Sequence, residues 1–565
     1  MRFTKAPNLN HLWSALMVEE LIRNGIDYFC ISPGSRSSPL VCAAAENPQA
    51  KTFVHFDERG LAFHALGYTT ATKKPCVLIC TSGTAAANFF PAVIEASKKK
   101  NPLIILTADR PHELRFTGAN QTIDQIKMFG DYARFFFDMP APTKDIQPEF
   151  ILTTIDQAVF RAQGELPGPV HLNCPFREPL APISTQENFT SYLHPIQKWS
   201  AGNEPCTTYI SPQKSISVQD IGKAAKILQA SKKGLIAVGK LSSQKEEGAV
   251  LKLAQKLNWP IFPDITSGLR LGCIHPNVIS YFDQILLSAK IQKNKPDCVL
   301  HLGGRMTSQR FYDYIEKTSP KNYITVLNHP LRNDPLHKVT LRVQSKADVF
   351  CNQIEKNIVR KKERIFLNLF QKANPKAAAR LDQSLAKTFS EMSAARILSQ
   401  MLPKDSGLFL ASSLPIRYMD RYAVPDGNHI IVASNRGASG IDGTIASAVG
   451  FAKGLQTPTT LLIGDLAFLH DLNSLAMIKE LKTPFVIVVL NNNGGGLFSS
   501  LPIARYKRKD IFTRFFLTPH GLRFERAAQL FKISYACPKD AEEFCLACQS
   551  ACRKKCTTLI EIPPG

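Results

Sequence analysis

The sequence predicts an α/β protein with three doubly wound parallel-sheet domains. Short apolar runs alternate with helical stretches of amphipathic spacing, and this alternation favours parallel sheets covered by helices on both faces. The 565 residues are too many for one hydrophobic core. Changes in composition then place the domains at 1–180, 218–347 and 390–565, with a linker at 181–217 and a helical linker at 348–389.

Local patterns within these domains indicate individual elements. Apolar periodicity predicts a helix over 8–24 in the first domain, and Gly25 then marks its end. Further predicted strands cover 28–32, 53–56, 77–80, 103–107, 234–239, 298–303 and 323–327. Predicted helices cover 61–72, 85–98 and about 348–387.

The last domain contains the most informative motif. Residues 461–463 and 484–490 are predicted buried parallel strands, and 471–481 has the length and apolar spacing of the crossover helix between them. Asp465 and Asn492 then lie at the carboxyl ends of neighbouring strands, where such sheets bind ligands.

The residue types after these strands suit a divalent metal that holds a diphosphate. Mg²⁺ (or Mn²⁺) prefers hard oxygen ligands and keeps positions for phosphate oxygens and water. We assign the carboxylate of Asp465, the carboxamide of Asn492 and the backbone carbonyl of Gly494 as ligands. The following glycines allow the backbone to approach the ligand closely. The alternative is a strand-to-helix junction that is merely rich in Asn and Gly.

The formal charge of +23 raises the question of nucleic acid. The basic runs at 98–100, 360–364 and 505–509 are scattered, and no nucleic-acid-binding motif accompanies them. We therefore expect solvated surface and no nucleic-acid partner. A positive field would still raise the encounter rate with polyanionic small substrates.

Four of the 14 cysteines fall near the end of the chain, at Cys545, Cys548, Cys552 and Cys556. Their spacing places all four on one narrow face of a helix, which favours a buried stripe of small apolar side chains over a metal site. We expect reduced thiols. The first residues lack a signal-peptide core, and no apolar run approaches the ~20 residues of a membrane span, so we expect a cytoplasmic location.

The first and last domains share a weak internal sequence similarity. Ser82-Gly83-Thr84 and Asp442-Gly443-Thr444 each open an alanine-rich helix that a strand follows. This pattern suggests two related αβα domains around one cofactor.

These motifs together resemble the thiamine diphosphate enzyme superfamily, whose last domain holds its metal by Gly-Asp and, just under thirty residues later, Asn-Asn. Gly464-Asp465 and Asn491-Asn492 match that pattern. Further blocks resemble the family of menaquinone-biosynthesis synthases within it, at 31–37, 55–60, 107–111, 118–122, 434–443 and 491–498. The resemblance covers most of the first and last domains, whereas the central domain matches loosely.

The resemblance places Glu58 beside the aminopyrimidine ring of the cofactor. A carboxylate hydrogen-bonded to the ring nitrogen favours the imino tautomer, which can take the proton from the thiazolium carbon. The alternative is a glutamate at the end of a strand that pairs with adjacent Arg59 on the surface. The resemblance also assigns Gly464, Asp465, Asn492 and Gly494 to binding of the cofactor and metal.

The implied reaction is decarboxylation of 2-oxoglutarate followed by addition of the four-carbon fragment to isochorismate. Both substrates are dicarboxylates, and the planar fork of arginine pairs two carboxylate oxygens. By resemblance, the charged and catalytic candidates are Arg36, Arg110, Arg417, Arg436 and Gln121. Neutral donors are expected from Ser35, Asn120 and Ser413, and a middle-domain contact from Arg310.

One position departs from the family pattern. A basic pair is expected in the central domain, and Gln309 precedes Arg310 in its place. Either one cation is lost from a carboxylate site or the alignment slips in this loosely matching domain. Lys507 and Arg508 could supply charge instead, although solvated loop charge is the alternative account.

The apolar residues Leu497, Phe498 and Leu501 follow the metal motif and are expected to pack against cofactor and substrate. In the superfamily the cofactor lies between the first domain of one subunit and the last of another, so a homodimer or homotetramer is implied. Two other functions compete: a 2-oxoacid carboligase of acetolactate-synthase type, and a non-catalytic anion- or nucleic-acid-binding protein.

Overall fold

The structure of the protein is a computed structural model that describes residues 2–211, 215–425, 427–554 and 556–564. Its strands are β1 (Tyr28–Ile31), β2 (Lys51–Val54), β3 (Cys76–Cys80), β4 (Leu103–Asp109), β5 (Phe136–Asp138), β6 (Pro169–Pro175), β7 (Gly234–Val238), β8 (Ile261–Pro263), β9 (Cys298–Leu302), β10 (Asn322–Leu327), β11 (Leu341–Gln344), β12 (Gly407–Leu410), β13 (Ile431–Ser434), β14 (Thr459–Gly464), β15 (Phe485–Leu490), β16 (Ser534–Ala536) and β17 (Thr558–Ile562).

Helices connect almost all of these strands. The α-helices are α1 (Leu9–Arg23), α2 (Ser38–Glu46), α3 (Glu58–Thr72), α4 (Thr84–Asn88), α5 (Phe90–Lys99), α6 (Pro148–Gln163), α7 (Thr190–Leu193), α8 (Gln197–Ala201), α9 (Val218–Ala230), α10 (Gln244–Leu257), α11 (Phe282–Ile285), α12 (Ala289–Gln292), α13 (Gln309–Thr318), α14 (Ala347–Lys356), α15 (Ile365–Leu385), α16 (Glu391–Met401), α17 (Leu414–Tyr422), α18 (Thr444–Leu455), α19 (Asp465–His470), α20 (Lys509–Phe512), α21 (Glu525–Leu530) and α22 (Ala541–Arg553). Short 3₁₀ segments cover Arg2–Lys5, His112–Leu114, Gly130–Tyr132, His194–Ile196, Leu472–Glu480, Gly496–Ser500 and Pro502–Arg505, and a π-helical turn covers Thr513–Leu517.

The strands form three parallel sheets, which confirms the predicted fold class. Their strand orders are β2-β1-β3-β4-β6-β5, β11-β10-β9-β7-β8 and β13-β12-β14-β15-β17-β16. The chain divides into two compact units, and the first of these contains residues up to 211 together with 435–456 and 467–481. The first sheet belongs to this unit, and the other two sheets belong to the second.

The first and third sheets have the same strand order relative to the direction of the chain. The internal similarity therefore reflects two domains of one topology. The two motifs that were matched to each other are one βα unit apart, however, so that match was wrong. Ser82-Gly83 follows the third strand of its sheet, and its topological counterpart is Gly464-Asp465 after β14. Gly443-Thr444 opens α18 after the second strand and corresponds to the start of α3.

Within the first unit, these two equivalent helices, α3 and α18, pack against each other through reciprocal glycines. A Cβ at Gly67 would lie 2.0 Å from the carbonyl oxygen of Ser447, and one at Gly450 would lie 1.9 Å from that of His64. Only glycine permits so close an approach of two helix backbones. This packing is one reason that residues 435–456 belong to the first unit.

Three local predictions differ from the structure. The helix predicted over 348–387 is two helices, because 357–364 leave the helical path and α14 packs with its Phe350 and Ile354 in the core of the central sheet. The crossover at 471–481 is a 3₁₀ segment that follows the short helix α19. The strand predicted over 53–56 is β2, which ends at Val54.

The cysteine stripe is only partly buried. Cys548 is buried on α22, Cys545 and Cys552 are half-buried, and Cys556 lies beyond the helix and is exposed. All 14 cysteines of the sequence are free thiols in the structure. Among the residues with described structure, no helix has the length and apolar character of a membrane span.

Candidate active site

The predicted site residues cluster after strands at the points where strand order reverses. In the first sheet, Ser35 and Arg36 follow β1, and the Ser82-Gly83 turn follows the adjacent β3. In the third sheet, Ser413 follows β12 and Asp465 follows the adjacent β14. Ligands of doubly wound sheets bind at such switch points, outside the carboxyl ends of the strands.

Two arginines in the first unit lie in each other's electrostatic field. Arg36 donates to the carbonyl oxygen of Phe176 at 2.9 Å and pairs at 3.4 Å with Glu178, whose side chain is 70% exposed. Burial lowers the pKa of Arg110, and the nearby charge of Arg36 lowers it further. The carboxylates of Asp109 and Glu178 act in the opposite direction, but the net effect still lowers the pKa of Arg110, so the arrangement favours an incoming anion.

Ser82 connects Arg110 with the loop that carries Gln121. Arg110 Nη1 donates to Ser82 Oγ, which in turn donates to the carbonyl oxygen of Gln121 at 3.1 Å. The side-chain amide of Gln121 donates back to the Ser82 carbonyl oxygen at 3.0 Å. Gln121 has a left-handed φ of 55°, a strained conformation held by this reciprocal pair. Ser35 and Asn120 are exposed.

Glu58 is the first residue of α3, and not the last residue of a strand. The helix is capped by Asp57, which accepts from the Arg59 amide at 3.0 Å. Arg59 pairs with Asp57 at 3.8 Å and with Asp471 at 3.9 Å, so the surface pair between Glu58 and Arg59 is absent. Within the described part of the chain the half-buried Glu58 carboxylate accepts no hydrogen bond, which leaves it free for a ligand.

Arg436 lies in the loop between β13 and α18. The half-buried arginine precedes two backbone amides, those of Gly437 and Ala438, that donate to the buried carboxylate of Glu95. These contacts lie within the first unit and determine the path of the loop at Arg436.

In the second unit, Asp465 is 2% exposed and begins α19. Its Oδ2 accepts from the Gly494 amide at 2.8 Å and lies 3.1 Å from Nε2 of His520. Its Oδ1 accepts from the Leu466 amide at 2.7 Å. The structure thus brings Asp465 and Gly494 together through the Gly494 amide.

Asn492 supplies the observation that tests whether the site fits a metal. Its Nδ2 donates to Glu391 at 2.9 Å, whereas its Oδ1 is buried and has no hydrogen-bond partner within the described ranges. A buried carbonyl oxygen without a partner costs free energy unless a ligand satisfies it. Gly494 has φ 134°, and a Cβ there would lie 2.0 Å from the Leu517 carbonyl oxygen, so glycine is required. These oxygen donors fit a hard divalent cation.

No cluster of three His, Cys, Asp or Glu side chains with metal-binding geometry occurs among the described residues. This does not conflict with the proposed ligand set, which combines one carboxylate with an amide oxygen and a backbone carbonyl. Gly464 ends β14 immediately before Asp465 and has open space where a Cβ would be.

The remaining candidates of the second unit occupy three places. Ser413 is the N-cap of α17 with φ 73°, and its carbonyl oxygen accepts from Arg417 on the same helix. Leu497 and Phe498 are half-buried in the 3₁₀ turn after the metal motif, and Leu501 is 41% exposed. Phe498 packs edge-on against Phe516.

In the central domain, Arg310 forms an ion pair with the buried carboxylate of Asp283, which also lies 3.4 Å from Arg421. Gln309 is exposed and donates to Asp313 one helical turn along α13, so its side chain is satisfied locally. Lys507 and Arg508 are exposed, and Arg508 pairs with Asp510 in solvent.

Sequence reasoning missed four residues that support the site: Ser82, Glu95, Glu391 and His520. Ser82 belongs to the internal similarity of the two domains, and its position after β3 could have identified it as a site residue. Glu95, Glu391 and His520 are distant in sequence from the groups they contact, and no spacing pattern indicates such partners.

Comparisons with known proteins agree with this geometry. Residues 13–128 match the model described as "Thiamine pyrophosphate enzyme, N-terminal TPP binding domain", 190–410 match "Middle domain of thiamine pyrophosphate", and 416–562 match "Thiamine pyrophosphate enzyme, C-terminal TPP binding domain". The fold and site therefore define a thiamine diphosphate enzyme.

Similar curated proteins cover nearly the whole chain. A 2-succinyl-5-enolpyruvyl-6-hydroxy-3-cyclohexene-1-carboxylate synthase of Rubrobacter xylanophilus is 45% identical, over 98% of this chain and 96% of its own. Synthases of the same name from Prosthecochloris aestuarii and Salinibacter ruber are 42% and 41% identical, over 98% and 99% of this chain and 94% of each relative. The chain belongs to the family of 2-succinyl-5-enolpyruvyl-6-hydroxy-3-cyclohexene-1-carboxylate synthases, which confirms the family predicted from its motifs.

Proposed function

We propose that this protein catalyses the thiamine diphosphate-dependent decarboxylation of 2-oxoglutarate and the 1,4-addition of the resulting four-carbon unit to isochorismate, in menaquinone biosynthesis. The product is 2-succinyl-5-enolpyruvyl-6-hydroxy-3-cyclohexene-1-carboxylate. One observation carries the proposal: the full-length similarity to synthases of that name. The free carboxylate of Glu58 and the oxygen donors of Asp465 and Asn492 support it.

Specific residues are proposed to hold the cofactor. The diphosphate would bind through Mg²⁺ (or Mn²⁺) coordinated by Asp465 Oδ, Asn492 Oδ1 and the Gly494 carbonyl oxygen, beside Gly464. The Glu58 side chain would hydrogen-bond to a ring nitrogen of the aminopyrimidine and keep that nitrogen protonated, which favours the tautomer that takes the proton from the thiazolium carbon. When bound, thiamine diphosphate supplies a carbon nucleophile and an electron sink for loss of carbon dioxide.

The arginines are proposed to compensate the carboxylates of the two substrates. Arg36 and Arg110 repel each other, and the nearby carboxylates of Asp109 and Glu178 offset this only in part, so a substrate carboxylate between the two arginines would relieve an existing electrostatic cost. Gln121 is held beside Arg110 through Ser82 and would orient the reacting group. Arg417 and Arg436 would bind the remaining carboxylates.

Neutral donors and apolar walls complete the proposed site. The hydroxyl groups of Ser35 and Ser413 and the amide of Asn120 would donate to substrate oxygens. Asp283 Oδ1 accepts a hydrogen bond from Nη1 of Arg310. The other guanidinium hydrogens of Arg310 would donate to a substrate carboxylate. The apolar side chains Leu497, Phe498 and Leu501 would exclude water, which otherwise quenches a carbanion.

We further propose a homodimer or homotetramer in the cytoplasm. Exposed apolar side chains in the first unit support association: Phe116 is 89%, Phe56 is 64% and Val54 is 60% exposed. The free thiols fit a reducing compartment. Light scattering of the purified protein at several concentrations would test the assembly, since a monomer at all of them would contradict it.

A substrate-dependence assay tests the function. Purified protein with Mg²⁺, thiamine diphosphate, 2-oxoglutarate and isochorismate should release carbon dioxide and consume isochorismate in equal amounts. Pyruvate in place of 2-oxoglutarate should react far more slowly, because it lacks the second carboxylate. A preference for pyruvate would favour an enzyme of acetolactate-synthase type, and no turnover with either acid would contradict the proposal.

A further inference from the structure

Glu391 lies at the start of α16, outside the motifs that identify the cofactor site. Its two carboxylate oxygens have different partners within the second unit. Oε1 accepts from Asn492 Nδ2 at 2.9 Å, and Oε2 accepts from the Tyr418 hydroxyl at 3.2 Å. The carboxylate therefore connects one turn of α17 with the loop that carries a proposed metal ligand.

The contact determines which way the Asn492 amide faces. An ionised carboxylate only accepts hydrogen bonds, so with Glu391 ionised the NH₂ group of Asn492 must point to it and Oδ1 of Asn492 must point away. That oxygen is buried and lacks a hydrogen-bond partner in the part of the chain that the structure describes. An amide turned by 180° would instead place Oδ1 against the carboxylate, and two acceptors would face each other.

Helix capping does not account for Glu391. The N-cap of α16 is Ser390, whose side chain accepts from the Ser393 amide. The Ser393 hydroxyl accepts in turn from the Ser390 amide. This capping box satisfies the start of the helix without Glu391. The side chain of Glu391 is thus available for Asn492.

We propose that Glu391 is a positioning residue for the metal, which acts by orienting the Asn492 amide so that Oδ1 faces the ion. The proposal rests on the proposed function and deepens it, because it assigns a determinant of metal affinity that touches neither cofactor nor substrate. Groups that orient metal ligands in this way commonly change metal affinity by about 10–100-fold when they are removed.

Direct Mn²⁺ binding, measured by electron paramagnetic resonance of the free ion with thiamine diphosphate present, tests the proposal without an activity assay. E391A should raise the Kd for Mn²⁺ by about 10–100-fold. E391Q should rescue most of the affinity, since its Oε1 can still accept from Asn492. E391D, whose carboxylate is withdrawn by one methylene, should be weakened nearly as much as E391A.

The matched control is S390A, which removes the helix cap and leaves the Glu391 contact. It should lower the thermal midpoint while its Mn²⁺ affinity stays within about two-fold of the wild type, as expected if positioning and helix stability are separate. If E391A fails to fold, the Mn²⁺ affinity of E391D tests the proposal in its place.

The outcomes separate this proposal from the proposed function. Wild-type affinity in E391A, or in E391D where that variant decides, would overturn the role of Glu391 and leave the metal site intact. Equal weakening in E391Q and E391A would also overturn it, because the amide acceptor should suffice. Failure of the wild type to bind Mn²⁺ with the cofactor would overturn the metal site and this proposal together.

Discussion

The carboxylate of Glu95 accepts a hydrogen bond from the backbone amide of Gly437 at 2.7 Å, and it also accepts from Ala438 at 2.6 Å. Glu95 is 2% exposed on α5, and both amides follow Arg436 directly. Charge-assisted bonds of this kind are stronger than those between neutral groups. The buried carboxylate therefore fixes the backbone from which Arg436 extends.

E95A should displace this loop and weaken substrate binding through Arg436. We expect a loss of about 1.5–3 kcal/mol in stability, as for hydrogen bonds to a charged group, and a KM for one substrate raised about 10-fold. Steady-state kinetics and denaturant unfolding measure the two effects. The exposed Glu113, changed to alanine, is the control and should affect neither. Unchanged KM values for both substrates in E95A would show that Glu95 does not position Arg436.

E58Q should lower turnover by about 10²–10⁴-fold, because an amide cannot exchange a proton with the ring nitrogen of the aminopyrimidine and so cannot favour the active tautomer. The Kd for thiamine diphosphate should change little, since the metal and diphosphate contacts lie elsewhere. Single-turnover kinetics and calorimetry separate the two quantities. E46Q, a change at an exposed glutamate of the same unit, should behave as the wild type. Turnover in E58Q near the wild-type rate would remove Glu58 from the mechanism.

R110M should raise the KM for a dicarboxylate substrate by about 10–100-fold, the equivalent of one hydrogen-bonded charge. Methionine keeps much of the side-chain volume, so the effect reports on charge. R177M is the matched control, because Arg177 is an exposed arginine of the same unit that pairs with Glu113 at 2.6 Å. If R110M and R177M have the same KM values for 2-oxoglutarate and isochorismate, Arg110 does not bind a substrate carboxylate.

The stability of the first unit should fall as pH rises because of Glu20. Burial and the neighbouring Asp156 raise the pKa of this glutamate from 4.5 to about 8. The folded protein then holds a proton that the unfolded chain releases, so the stabilisation is present below about pH 4.5 and is lost as pH rises through about 8.

E20Q has no proton to lose at this position, so its thermal midpoint should fall less than that of the wild type between about pH 5 and pH 8. Loss of an acceptor for the Trp199 indole or the Cys206 amide adds a constant offset. Thermal unfolding at several pH values measures the difference. Parallel pH profiles for the two proteins would contradict the raised pKa.

The parallel sheets and the position of Asp465 directly after a strand were predictable because both depend on local patterns. The strand β15 was predicted to within one residue, since a run of buried apolar residues between turn signals specifies a strand. Asp465 and Gly494 meet because neighbouring parallel strands end at the same edge of the sheet. Neither inference needs knowledge of distant contacts.

The start of α3 shows where local patterns are insufficient. The alternative interpretation of Glu58 placed it at the end of a strand, but β2 ends at Val54 and the cap by Asp57 begins the helix. Asp57 was available as a helix-start signal in the sequence. The pairing of Arg59 with Asp471 was not, because tertiary contact alone brings them together.

The supporting contacts of Glu95 and Glu391 could not be predicted for the same reason. Each joins groups far apart in the chain, Glu95 to Gly437 and Glu391 to Asn492, and depends on the packing of complete helices. The exposed position of Gln309 likewise became clear only from the orientation of α13. Roles assigned by resemblance to individual residues stay predictions until variants are measured.

Calorimetric titration with thiamine diphosphate, in Mg²⁺ and in excess chelator, measures whether cofactor binding depends on the proposed metal site. We expect saturable binding with Mg²⁺, strong weakening by chelator, and loss of the Mg²⁺ effect in D465A, while the exposed-site control D510A binds as the wild type. Binding that is equally tight with and without metal, or unaffected by D465A, would contradict the proposed metal site.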